Sequence, residues 1–212
     1  LVMSVALSLS MSAMCQTTAQ MKSKQAKATL KEKASKDARK EAKKMEKEGW
    51  QVSPGALPLE KQLDRAYMYA LDIDDDMNQL YILGEGKSVA GNYDAARMQA
   101  RELARLEIAG SISSEATSLI DNMVGNKQLE NEDAASMTTM LSESKTIFSQ
   151  KLGRTTVAVE AFRVLPNKNR EVLIRLAVKS ADIKEIAKNA IREEMEKRGM
   201  KMSEQTREML SK

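Results

Sequence analysis

The chain has no histidine and one cysteine, Cys15, in 212 residues. Without imidazole there is no Ser-His-Asp or Cys-His machinery and no histidine metal ligand. A single thiol excludes an internal disulfide framework and a cysteine zinc cluster. Aromatic side chains make up only 3%, too few for a nucleic-acid reader built on stacking platforms. The apolar stretch at residues 1–14 falls short of the about 20 residues that span a bilayer. This length accommodates one domain with extensions, or two small ones.

Charge is present but unevenly placed. The formal balance is +4. Residues Met21–Glu48 hold eleven Lys/Arg against five Asp/Glu, a net of +6, while residues 49–212 hold 23 basic and 25 acidic side chains, a net of −2. The basic character belongs to one segment, and no nucleic-acid footprint extends over the chain.

Residues 1–19 read as a secretory signal segment that starts without an initiator Met or a basic leader. Leu1–Met14 carries no charge and has the length and small-residue ending of a secretory apolar core. Cleavage is expected after Cys15, with Ala13 at −3, or after Ala19, with Thr17 at −3. Cys15 is also a candidate for lipidation, although Met14 stands where lipoprotein signals place Gly, Ala or Ser. The expected location is therefore export, to the periplasm or in association with the outer membrane. A buried apolar helix is the structural alternative for residues 1–14.

Residues 20–49 are rich in Ala, Lys and Glu. Helix propensity is high, but large apolar residues are confined to Leu30 and Met45 after Met21, so no stripe wide enough to dock on a core is evident. A solvated helical spacer is expected, with a basic arm for a membrane or wall surface through residues 21–48 as the alternative. Gly49, Pro54, Gly55 and Pro58 mark a linker, and the single Trp50 is expected to anchor the chain where the globular part, residues 50–199, begins.

Pro58 suits the first turn of a helix running to Leu71, with Leu59, Leu63, Ala66, Tyr67, Ala70 and Leu71 at helical spacing. Tyr81–Ala90 reads as a strand in which Gly84 and Gly86 mark a bend or bulge. Asn92 or Asp94 caps the following helix, which places Ala96, Ala100 and Leu103 on one face and Arg101, Glu102 and Arg105 on the other. Gly110 interrupts this helix. Residues 111–124 satisfy helical spacing, but Ile112, Ala116 and Ile120 also fit a strand; a kinked or broken long helix is expected. A further helix runs to Lys151 with Met137, Met140, Leu141 and Ile147-Phe148. Thr155–Leu165 and Glu171–Lys179 form a hairpin in which Val172, Ile174, Leu176 and Val178 face inward and Glu171, Arg175 and Lys179 outward. Residues 181–198 form an amphipathic helix that buries Ile183, Ile186, Ala187, Ala190 and Ile191 and ends at Gly199. Residues 200–212 form a short helix or tail. The fold class is α+β, a small three-stranded and mainly antiparallel sheet packed against long helices.

Three clusters invite chemical tests. Gly86-Lys87-Ser88 ends like a phosphate loop, but Tyr81 stands where the pattern requires Gly, and a bent strand accounts for it. The acidic run 72–78 offers Asp74, Asp76, Asn78 and Glu85 at calcium-loop positions, but Gln79 replaces the turn glycine and a strand follows. A solvated acidic loop is the default. Arg97, Arg101 and Arg105 recur every four residues as a basic stripe, either a solvated face or a contact for an anionic partner. No catalytic residue, cofactor site or firm metal site can be nominated.

The segment Tyr-Ile-Leu-Gly-Glu-Gly-Lys-Ser (81–88), with Ala95-Ala96, Ala100-Arg101-Glu102-Leu103-Ala104 and Ile108, resembles the LPP-twenty family of bacterial lipoproteins. The hairpin Val157–Leu165 and Glu171–Val178 extends the resemblance over about residues 80–180. That family shares these elements with the N-terminal domain of the flagellar assembly protein T. The resemblance implies a small α+β envelope domain, with no known enzyme activity to transfer. The expected function is a non-enzymatic assembly or adaptor module contacting other envelope proteins. The alternatives are attachment to anionic lipid or wall polymer through the basic arm, and a carboxylate hydrolase. Nucleic acid is not expected as a partner.

Overall fold

The computed structural model describes residues 29–74, 77–126, 128–200 and 202–211. Residues 29–47 form helix α1. Then come α2 (Leu59–Leu71), β1 (Tyr81–Ala90), α3 (Tyr93–Gly125), α4 (Asn131–Glu143), α5 (Lys145–Lys151), β2 (Thr156–Val164), β3 (Arg170–Lys179), α6 (Ser180–Lys197) and α7 (Glu204–Ser211). The strands form one antiparallel sheet in the order β1-β3-β2, as the α+β reading requires.

Alternation along β3 places its two faces in two cores. Val172, Ile174, Leu176 and Val178 join α3 and α6 in one; Leu173 packs in the other with Trp50, Leu59, Leu63 and Val159. Of the expected outward positions Lys179 is exposed, and the other two are corrected. Glu171 is buried and accepts from Arg163 Nε at 2.5 Å, and Arg175 is covered by α1.

The spacer reading of residues 20–49 is corrected for its described part. Ala34, Ala38, Ala42 and Met45 are buried, and Ala38, Ala42 and Met45 belong to the Trp50 core. These positions recur at four and three residues, one narrow side of a helix. Alanine scores weakly as an apolar stripe, but its lack of bulk lets the helix backbone approach closely. Ser35 Oγ donates to Asp64 Oδ1 on α2 at 2.6 Å. Trp50 anchors the junction as expected, with the Arg163 guanidinium 4.9 Å from its ring centroid.

Gly84 and Gly86 do not mark a bulge, because β1 pairs with β3 without interruption over all ten positions. They admit helix α3 instead. A Cβ on Gly86 would lie 1.9 Å from the Ala100 carbonyl oxygen, and one on Gly84 2.4 Å from that of Ala104. The irregularity lies on β2, between Val157 and Val159.

Asn92 caps α3 by accepting from Ala95 N at 2.8 Å. The helix runs unbroken through Gly110 and over residues 111–124, which settles the helix–strand ambiguity. Ala104, not Leu103, continues its buried seam, and Leu103 is 46% exposed. The helix expected through Lys151 divides at Ser144 into α4 and α5.

Candidate functional site

Docking sorts the charges of α1. The Ala34–Ala38–Ala42–Met45 seam faces the domain. At about 100° per residue, the opposite side carries Lys33, Lys36, Lys40, Lys43, Lys44 and Lys47. All six are exposed. Lys36 makes an exposed pair with Glu32 at 2.7 Å, and Lys40 lies 3.8 Å from Asp37. Other acids turn toward the domain. Glu41 Oε1 accepts from Arg175 at 2.7 Å, and Glu48 lies 3.9 Å from Arg163. In sequence the signs are interleaved; in the fold a lysine ridge stands outward, about 21 Å long from Lys33 to Lys47 at 1.5 Å per residue.

Arg175 ties α1 to the sheet. Besides Glu41 it donates to Glu85 on β1 at 2.6 Å. Burial opposes its charge, but the hydrogen bonds it donates to both carboxylates outweigh this and raise its pKa. Burial and the Glu41 carboxylate together raise the Tyr67 hydroxyl. These groups and Glu107 line a cavity of about 410 Å³. Glu107 accepts from the backbone N–H of Glu85, so each of the three carboxylates already holds a donor.

A second network lies on the opposite face. Glu160 Oε1 accepts from Tyr93 Oη at 2.6 Å and from Arg97 Nε at 2.7 Å, and Arg101 lies 3.8 Å from Oε2. Burial works against ionisation of Glu160; the hydrogen bonds from Arg97 and Tyr93 and the charges of Arg97 and Arg101 overcome it and hold the carboxyl below its ordinary value. Arg105 donates to the carbonyls of Ser149 and Leu152. The basic stripe is therefore neither a simple solvated face nor a free contact surface, because its three arginines bind β2 and the end of α5.

The edges of the sheet differ. At β2, Gln51 exchanges two backbone hydrogen bonds with Phe162 at 2.7 and 2.8 Å. Gln62 Oε1 accepts from Glu160 N at 2.7 Å, and Arg65 donates to the carbonyls of Val157 and Ala158. At β1, Ser180 N donates to Leu80 O, so even-numbered residues bond β3 and odd-numbered ones turn their backbone groups outward. Glu107 caps this edge at Glu85, in the place a carbonyl of an added strand would take.

The calcium candidates do not converge. Asp74 Oδ1 accepts from Asn78 N at 2.8 Å, and its Oδ2 from Asn78 Nδ2 at 3.1 Å, closing a local turn. Glu85 is committed to Arg175 in the strand. Asp76 and Cys15, with the whole expected signal segment, lie outside the described residues. Among the described residues no group of acidic side chains is arranged to hold a metal, and no helix is long and apolar enough to cross a membrane.

No protein-family model and no curated protein matches the chain. Among solved structures, a hypothetical protein from Francisella tularensis is similar at 17% identity and a TM-score of 0.24, over 50% of this chain and 33% of that one. The chain thus spans about a third of that protein's length, and a likeness of this degree fixes neither fold nor function.

Proposed function

We propose that this chain is a non-enzymatic cell-envelope module that works by surface contact, with the lysine side of α1 as its contact face. One observation carries the reading: docking pairs Glu41 of α1 with Arg175 of the sheet and leaves six exposed lysines on a ridge fixed to the domain. The helical period gathers these lysines on one side, and docking fixes that side outward relative to the domain. The uncharged stretch 1–14 and the resemblance of residues 81–108 and the hairpin to LPP-twenty lipoproteins support an envelope setting. Among the contact functions, attachment to an anionic surface fits this face better than strand addition at β1, where Glu107 occupies the edge and Leu103 stands beside it.

Fractionating cells that express Lys36→Gln/Lys40→Gln/Lys43→Gln/Lys47→Gln tests the reading. At low salt the parent is expected in the envelope fraction and the variant in the supernatant. Identical distribution of the two, with unchanged melting temperatures, would refute the contact role of α1. Mass spectrometry of the mature N-terminus in the same fractions reads the fate of Cys15.

A further inference from the structure

The ridge has the chemistry of a site for a continuous anionic plane. We propose that the lysine face of docked α1 binds the anionic phospholipid headgroups of a bilayer, peripherally and without insertion of the helix. This deepens, and rests on, the reading of α1 as the contact face.

The side chains argue for lipid over other anionic partners. Six of the charged groups are lysines, compact charges on flexible stems that need no fixed fork geometry. A specific protein interface is centred on aromatic or arginine anchors seated in pockets. The outward face, residues 33, 36, 40, 43, 44 and 47, contains no aromatic residue, and the cavities along the domain are lined by other residues. A row of point charges on a convex ridge matches a laterally continuous surface of headgroups, where each lysine finds a counter-charge in any register.

The burial pattern fixes the mode. An inserting amphipathic helix lays its apolar side into the bilayer, but the apolar side of α1 is occupied: Ala34, Ala38 and Ala42 are at most 2% exposed. Released from the domain, α1 would offer three methyl groups and Met45, a poor membrane anchor. Docked, it keeps its lysines together.

Flotation of the full chain with vesicles tests this, read as the excess binding to phosphatidylglycerol-containing over pure phosphatidylcholine vesicles. Each lysine near an anionic leaflet strengthens partition about five-fold. Lys36→Gln/Lys40→Gln/Lys43→Gln/Lys47→Gln is therefore expected to lose the excess by at least about 100-fold. Raising salt from 0.05 to about 0.5 M should abolish it in the parent. A disulfide lock, Ser35→Cys/Asp64→Cys in a Cys15→Ser background, holds α1 down and is expected to retain full binding. Equal excess in parent and lysine variant overturns the proposal, as does loss of binding in the locked chain. Lysine-dependent retention on sacculi or duplex DNA with no vesicle excess overturns the lipid assignment while the contact face stands. Loss of every lysine-dependent interaction removes both.

Discussion

Strand β1 packs against the backbone of helix α3 with no room for a side chain at Gly86, and a single methyl group tests it. In Gly86→Ala the new Cβ would sit 1.9 Å from the Ala100 carbonyl oxygen and 2.5 Å from Ala104 N, where ordinary contact begins at 3.4 Å. Both obstacles are backbone atoms, so no rotamer change relieves them. Helix α3 must retreat by about 1.5 Å along its near half. A gap of even 0.5–1 Å forfeits a quarter to a half of the dispersion well for every contact it opens. Ala96, Ala100, Ala104 and Ile108, all fully buried, would open together. Overpacking ordinarily costs 1–3 kcal/mol, and a rigid obstacle under a 33-residue helix belongs at the upper end, about 3 kcal/mol. For a chain of this size that lowers Tm by about 6–12 °C. Urea unfolding followed by Trp50 fluorescence measures it, with the m-value checked for constancy. Gly84→Ala should cost less, because part of its obstacle is the Ile108 side chain. Gly110→Ala meets nothing within 4 Å and should gain about 0.5–1 kcal/mol from helix propensity. A Gly86→Ala midpoint within about 0.5 kcal/mol of the parent would refute the close-approach account and return these glycines to the role of a bend.

Two further outcomes follow from the charged networks. Arg175→Met keeps the aliphatic stem but leaves Glu41 and Glu85 without their cation; at 22% side-chain exposure the cost should lie between surface and buried pairs, about 2 kcal/mol, and proteolysis within residues 29–47 should accelerate. Unchanged urea midpoint and cleavage rate would show that α1 does not depend on this clamp. Glu160 has a folded-state pKa below its ordinary value of 4.5, so its contribution is fully present above about that pH and is lost as pH falls through the lowered value. In Glu160→Gln the decline of stability below pH 4.5 should be shallower, and at neutral pH the variant should be less stable by about 1.5–3 kcal/mol, the range for hydrogen bonds to a charged group. Parallel pH–stability curves would exclude Glu160 from the acid limb.

Legibility followed the size of the side chain and the range of its contacts. The alternation of Val172, Ile174, Leu176 and Val178 and the Pro58 helix start are local signals carried by large or conformationally restricted residues, and both appear where expected. Arg175 was read as outward because charge at alternate strand positions ordinarily means solvent; its partner Glu41 stands 134 residues earlier, beyond any local pattern. The α1 seam was invisible for a different reason. Alanines at 34, 38 and 42 carry too little hydrophobicity to form a stripe, although three at four-residue spacing beside Met45 were the available signal. Ile147 and Phe148 are adjacent, and only packing decides that Phe148 is buried while Ile147 is 54% exposed. The lysine face was hidden by the same interleaving that suggested a spacer, since composition does not record which side of a helix a charge occupies.

The sheet treats helices α1 and α3 alike and leaves them with different surfaces. Both α1 and α3 approach through seams of alanine, which permit close contact but bury few methylenes, at about 0.8 kcal/mol each. Orientation about such a seam needs polar contacts as well. For α3 the sheet supplies an acid, Glu160, and the helix answers with Arg97 and Arg101, so cations of its stripe are consumed in docking. For α1 the sheet supplies cations, Arg163 and Arg175, and the helix answers with Glu48, at its C-terminal end, and Glu41. Glu41 and Glu48 are drawn inward, and the six lysines are left outside. The sign of the charge planted in the sheet therefore selects the sign of the face that the covering helix presents, which is how a segment of mixed charge becomes a basic ridge without any change in composition.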